Sequence, residues 1–231
     1  MNFEDKLISG HFLKRYKRFF VDIKINDKII TAHCPNTGSM SGLLREGNRV
    51  WLSKSNNPKR KLKYTLQIIE DNKNKVGVNT HLTNKIVMHA LENNLIKEFD
   101  KEIKIRPETK FGINTRFDFL ITQKNFKAFV EVKNVTLSRT DGLAEFPDSV
   151  TARGLKHINE LIKANKMGYK IFILYLIQRD DCKFFKIAKD IDIEYSDSLS
   201  KAVKKKLNIL CYDCKFLAKG IKLNNKVKFK I

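Results

Sequence analysis

The chain has 231 residues, 42% of them hydrophobic, enough for one large core or two ordinary ones, which excludes general disorder. A formal net charge of +21 and a pI near 9.8 point to a polyanionic partner, nucleic acid or an anionic membrane surface. The longest wholly apolar run, Ile171 to Ile177, is far short of a membrane span, and the start MNFEDKLISG is acidic and polar, so a cytoplasmic protein is expected.

Up to about Thr80 the pattern is five strands separated by turn chemistry. RYKRFFVDIKI alternates and ends at Asn26-Asp27; IITAHC, RVWLSKS, KYTLQIIE and KVGVNT follow. Five strands without an internal helix predict a small barrel, with the OB-fold as the best five-stranded choice. From Leu82 the period changes: Leu82, Ile86, Ala90, Leu91 and Leu95 form one helical stripe, placing a domain junction between 1–81 and 82–231. Strands are then expected at 103–105, 116–122 and 127–136. A helix over 149–167 closed by Gly168, a strand over 169–178, a helix over 196–207 and strands near 209–216 and 227–231 complete an α/β domain. Cys34, Cys182, Cys211 and Cys214 read as reduced thiols, since only CYDC has metal-like spacing and a zinc site needs four ligands.

The stretch FVEVKNVTL places Glu131 and Lys133 on one face of an otherwise apolar strand. Such a pair is costly beside a core unless the two groups pair, bind a metal or serve chemistry. In TRFDFLI, Asp118 lies on the preceding strand, on the same face as Arg116, itself a candidate phosphate contact, and a hairpin would bring Asp118 toward Glu131; Glu108 in RPETKFG is a candidate third carboxylate. Two carboxylates around a cation suit Mg²⁺ or Mn²⁺, and a lysine beside them suits phosphodiester hydrolysis. A salt-bridged strand pair accounts for the same residues.

Collinear motifs then carry a resemblance over nearly the full length. RYKRF (15–19), HCPNTGSM (33–40), VNT (78–80), TRFDF (115–119), VEVKNVTL (130–137) and FPDSVTARGLKH (146–157) resemble the sugar fermentation stimulation protein A (SfsA) family. The resemblance implies an N-terminal OB-fold and a C-terminal domain with a central mixed sheet, similar to the PD-(D/E)XK nucleases. Asp118, Glu131 and Lys133 would then be the metal-binding and catalytic set. It also implies DNA binding and a link to sugar, particularly maltose, metabolism. The family pattern commonly has serine where this chain has Thr115.

Three further patches are candidate phosphate contacts. Arg153, Lys156 and His157 open the helix after the E-x-K strand, with Asp148 or Ser149 as the cap in the purely structural reading. Asn36, Thr37 and Ser39 offer donors in a glycine-containing loop, which a structural connection explains as well. Arg15, Lys17 and Arg18 interleave with aromatics, as in single-strand platforms. The reading is a DNA-binding protein with a Mg or Mn site, either a nuclease or a non-catalytic regulator. No membrane and no small organic cofactor are expected, and the oligomeric state is left open.

Overall fold

The structure is a computed structural model that describes residues 1–230. Its N-terminal part is built from β1 (Ile8–Tyr16), β2 (Phe20–Ile25), β3 (Lys28–His33), β4 (Arg49–Lys54), β5 (Tyr64–Asp71) and β6 (Asn74–Gly77). The strands run in the order β3-β2-β1-β4-β5-β6, and a parallel contact of His33 with Thr65 joins β3 to β5. That contact closes a five-stranded barrel, with β6 as an appendage. Phe12, Val21, Ile23, Leu52, Leu66 and Ile69 fill its interior.

Five barrel strands were expected, but the five are different ones. RYKRFFVDIKI is two strands, because Lys17 and Arg18 take left-handed φ values of +47° and +61° and Tyr16 pairs back onto Phe20. A charged, aromatic turn without glycine, proline or asparagine carries no sequence punctuation. The start of β1 is obscured by Gly10, which reads as a break. It is required because a Cβ there would come within 2.7 Å of Ile23 and 2.8 Å of the Lys24 carbonyl.

A 3-10 turn (Thr80–Leu82) leads into α1 (Thr83–Glu92). Next come β7 (Lys104–Phe111), β8 (Thr115–Thr122), β9 (Lys127–Val135), β10 (Leu137–Thr140), β11 (Leu143–Phe146) and α2 (Ala152–Lys166). The chain finishes with β12 (Lys170–Ile177), β13 (Phe184–Ile187), α3 (Ile193–Lys204), β14 (Leu207–Leu217), β15 (Gly220–Lys226) and β16 (Lys228–Phe229). The central sheet is mixed, in the order β15-β14-β12-β9-β8-β7, with β9, β12 and β14 parallel. On one face, Ile86, Val87, Ala90 and Leu91 of α1 pack against Val130, Val132, Leu174 and Leu176. On the other, Ile158 and Leu161 of α2 and Leu199 of α3 meet Phe129, Ile171, Ile173 and Tyr175. The fold class is as expected: a five-stranded β-barrel joined to an α/β domain with a central mixed sheet.

A small second sheet, β10-β11-β13-β16, was not anticipated, since its strands are too short for a period to register. The α2 helix begins later than expected: its cap is Thr151, which accepts from the Gly154 N–H at 3.0 Å, and not Asp148 or Ser149. The expected strand at 227–231 is β16 preceded by the end of β15, and Ile231 lies outside the described residues. All four cysteines are buried and free. No helix among the described residues is long and apolar enough to cross a membrane.

Barrel and sheet share one core, which includes Ile68 of β5. The junction is locked by Arg179, only 3% exposed, whose guanidinium donates to Asp71 of the barrel at 2.9 Å, to Asp181 and to the Thr136 carbonyl.

Candidate active site

The site forms where two strands part. Pairing of β8 with β9 runs from Thr122↔Lys127 to Phe119↔Val130 and stops there, so Asp118 and Glu131 stand at the fork. Asp118 fills the gap with its own carboxylate: Oδ2 accepts the Val132 N–H at 2.7 Å, in place of a ladder bond. Its other oxygen accepts from the Asn84 side chain of α1 at 2.7 Å. On the other edge of β8, Glu108 lies between the pairs Pro107↔Phe119 and Thr109↔Phe117, opposite Asp118. Its φ of +48° is left-handed, an unusual conformation for a residue with a Cβ.

Glu131 is 3% exposed and Lys133 9%, as the alternation on a central strand requires. Lys133 Nζ donates to Glu131 Oε1 at 2.8 Å, and His157 of α2 is hydrogen-bonded to the same oxygen through Nδ1. Glu131 Oε2 is buried and has no partner. Burial would raise the Glu131 pKa, but Lys133 and His157 outweigh it and hold the carboxyl below its usual range. Asp118 shows the reverse balance. Burial first, and the charge of Glu131 second, push it up to about 6 against the bonds from Val132 and Asn84.

Around this pair the predicted cations partly assemble. Arg116, Arg153, Lys156 and His157 line one cavity of about 480 Å³, and Lys156 fixes the β7–β8 turn by donating to the Asn114 carbonyl at 2.8 Å. Arg116 also reaches Glu108 at 3.8 Å. His157 differs from the expected phosphate contact: it is buried and turned onto Glu131, which it positions. Glu108 lines a groove with Asp118 and Asn84. Even so, no three His, Cys, Asp or Glu side chains among the described residues are grouped as a ready metal site, so Glu108 does not join Asp118 and Glu131 in one. Asn84 is a site residue the sequence reading missed, because a polar residue on the open face of an amphipathic helix has no distinguishing signal.

The barrel residues fare differently. Arg15, expected to meet a nucleic-acid backbone, is turned inward onto the carbonyls of Arg18, Asn36, Gly38 and Ser39. Asn36 is 4% exposed and closes its own loop, accepting from the Gly38 N–H at 2.8 Å and donating to the Val78 carbonyl at 3.1 Å. Ser39 reaches across to Asp148. Thr37 is exposed on a groove that also contains Arg153, and Lys17 and Arg18 are exposed at the β1–β2 turn. Arg15 and Asn36 are therefore structural.

The fork has an acidic fit for a divalent cation: two carboxylates with hard oxygen donors, one of those oxygens buried and unpartnered, and an aspartate whose carboxyl is raised by burial and by its carboxylate neighbour. Residues 13–78 match the family model described as the SfsA N-terminal OB domain, and residues 81–220 the sugar fermentation stimulation protein RE domain. The sugar fermentation stimulation protein homolog of Pelagibacter ubique is 56% identical over 99% of this chain and 98% of its own length. The homolog from a Ruegeria species is 44% identical over 97% of this chain and 98% of its own. A solved structure described as Pyrococcus furiosus SfsA in complex with Ca²⁺ superposes with a TM-score of 0.89 at 26% identity, covering 100% of this chain and 98% of that one. By its matching domains and its full-length relatives, the chain belongs to the sugar fermentation stimulation protein (SfsA) family.

Proposed function

We propose that this protein binds DNA and hydrolyses a phosphodiester bond at the β8–β9 fork with Mg²⁺ or Mn²⁺. The observation that carries the reading is the buried Glu131, with one oxygen unpartnered, beside an Asp118 whose carboxyl is pushed up to about 6. A buried carboxylate oxygen without a partner, facing a carboxyl raised by burial and by its neighbour's charge, is where a bound cation would be most stabilising. Asp118 and Glu131 would hold the ion, and the solved Pyrococcus furiosus relative is a Ca²⁺ complex. When bound, a divalent ion lowers the pKa of its water and polarises a phosphoryl oxygen.

The chain's own groups do the rest. Asn84 orients Asp118, and His157 and Lys133 fix Glu131 through a shared oxygen. The Lys133 ammonium sits where it can stabilise charge developing on the phosphate. Arg116, Arg153 and Lys156 line the neighbouring cavity and hold the substrate phosphates, arginine doing so with a bidentate fork. The net charge of +21 draws the polyanion toward this face.

A second reading has one observation in its favour. Glu131 Oε1 is already paired with two partners and both Asp118 oxygens accept hydrogen bonds, so the fork holds together without an ion. On that reading the protein is a non-catalytic DNA-binding regulator of sugar (maltose) metabolism. The deciding experiment is cleavage of supercoiled, linear and single-stranded DNA with Mn²⁺, Mg²⁺ or EDTA, comparing wild type with Glu131→Ala. Metal-dependent cutting that disappears in the variant is the expected result. Intact DNA in the presence of a wild type that binds it overturns the nuclease and leaves the regulator.

A further inference from the structure

A second concave site lies at the mouth of the barrel, formed by the ends of β3, β4 and β5, the N-terminal segment and the start of α1. Its volume is about 660 Å³. The floor is polar where a barrel end is ordinarily apolar: Thr65, Gln67 and Asn79 are 6%, 5% and 6% exposed. They belong to one hydrogen-bonded set. Asn79 donates to Gln67 at 2.8 Å, Gln67 to Ser53 at 2.7 Å, and Arg60 to Thr65 at 2.7 Å, while the His81 N–H donates to Asn79 at 3.0 Å. Each amide nitrogen of Gln67 and Asn79 makes one of its two bonds within the protein, leaving an N–H on each for something else.

The walls are cationic. Lys54, Arg60 and Lys85 line the cavity with the imidazoles of His33 and His81. Glu4 and Asp5 line the same cavity, but among the described residues no carboxylate forms an ion pair with any of the three permanent cations. Burial first, and then the neighbouring Arg60 and His81, hold the His33 pKa below its ordinary value. Burial is the larger cause, and the Arg60 guanidinium acts in the same direction.

Three cations around a polar floor suit a dianionic phosphate monoester, which is stabilised by several charge-assisted bonds. Two flat imidazoles suit a stacked base, and the cavity is in the size range of sites for small organic ligands and larger than phosphate alone needs. We propose that this cavity binds a nucleoside 5′-phosphate, supplied either by a free nucleotide or by the 5′-phosphorylated end of a nucleic-acid strand. The site does not depend on chemistry at the fork. The two are neighbours, however, because Lys85 lines both this cavity and the groove that contains Asp118.

The test is calorimetry of the full chain with four probes: 2′-deoxyadenosine 5′-monophosphate, 2′-deoxyadenosine, and one short oligonucleotide with a 5′-phosphate or a 5′-hydroxyl. The monophosphate is expected to bind at least about tenfold more tightly than the nucleoside, a difference of about 1.4 kcal/mol. The double variant Lys54→Ala/His81→Ala is expected to lose at least about tenfold of that affinity, with an unchanged melting temperature because both side chains are exposed. Arg60→Gln, which keeps a donor for Thr65, is expected to lose as much and serves if the double variant is unstable. A tenfold preference for the phosphorylated oligonucleotide identifies a strand end; equal binding of the two oligonucleotides with retained monophosphate binding identifies a free nucleotide. Failure of the monophosphate to outbind the nucleoside, or variants that bind it as wild type does, overturns the proposal.

Discussion

The loop after β3 and the fork between β8 and β9 are both dense in polar and charged residues, yet their hydrogen bonding differs. In the loop no buried side-chain polar atom among the described residues is left without a partner. The three nitrogens of Arg15 donate to four carbonyls, and Asn36 uses both ends of its amide. At the fork Glu131 keeps a buried oxygen without a partner, and Asp118 is pushed up to about 6 by burial and by the charge of Glu131. A residue type that can do chemistry is uninformative until its partners are counted. Complete satisfaction fits a structural clamp, and a buried deficit that faces a second carboxylate and a cationic cavity fits a place that binds something else.

The largest effect expected of that contrast is at Glu131. Replacing it with alanine leaves the buried Lys133 without its ion-pair partner and His157 without its hydrogen-bond partner, and removing one partner of a buried ion pair costs about 3–5 kcal/mol. Urea unfolding at pH 7.5 should show that loss, and calorimetry should show no Mn²⁺ binding. A variant that binds Mn²⁺ as wild type does would move the metal elsewhere and break the comparison. Next in size is Arg15→Ala, which removes the donors of four carbonyl bonds at once. A loss of about 2–3 kcal/mol is expected, roughly that of one well-made charged hydrogen bond because the group is partly solvated. A protein as stable as wild type that had instead lost DNA affinity would restore Arg15 as a contact.

Much of this was legible in the sequence, and where it was not the reason is physical. The E-x-K alternation put Glu131 and Lys133 on one buried face because β9 is a central strand covered on both sides. The same logic misread RYKRFF, since alternation assumes an extended chain and Lys17 and Arg18 leave it. It also could not see partners far along the chain. His157 looked like a phosphate ligand on its own helix, and only the packing of α2 against β9 turns it onto Glu131, 26 residues away. Asn84, 34 residues from Asp118, had no local signal at all.

A third change sharpens the comparison by its sign. The Asp118 pKa of about 6 lies above the ordinary 3.8, so its contribution to stability is full only below the lower value and is lost as pH rises through the higher. At pH 8 the ionised carboxylate therefore disfavours the fold. Asp118→Asn removes that charge and can keep both bonds, accepting from the Val132 N–H while the Asn84 amide turns over to accept in its turn. The distance from 3.8 to about 6 sets an upper bound of about 3 kcal/mol. A gain of about 1–2 kcal/mol at pH 8, or some 2–8 °C in Tm, is expected, shrinking toward zero at pH 4. A variant less stable than wild type at pH 8 would mean that Asp118 is a satisfied structural group like Arg15.

The smallest effect on stability separates the two kinds of cation within RYKRF itself. Lys17 and Arg18 sit beside Arg15 in sequence, but both are exposed at the turn and no carboxylate among the described residues pairs with them. Changing both to glutamine keeps similar backbone strain at the turn and should alter stability by less than about 0.5 kcal/mol. If they meet phosphates, the slope of log affinity against log salt for duplex DNA should fall by about 2, roughly 0.9 for each charge removed. An unchanged slope would take the β1–β2 turn out of the DNA surface and leave binding to Arg116, Arg153 and Lys156. A fall of several degrees in Tm would count against the rule itself, because a side chain with no recorded partner would then be holding the barrel together.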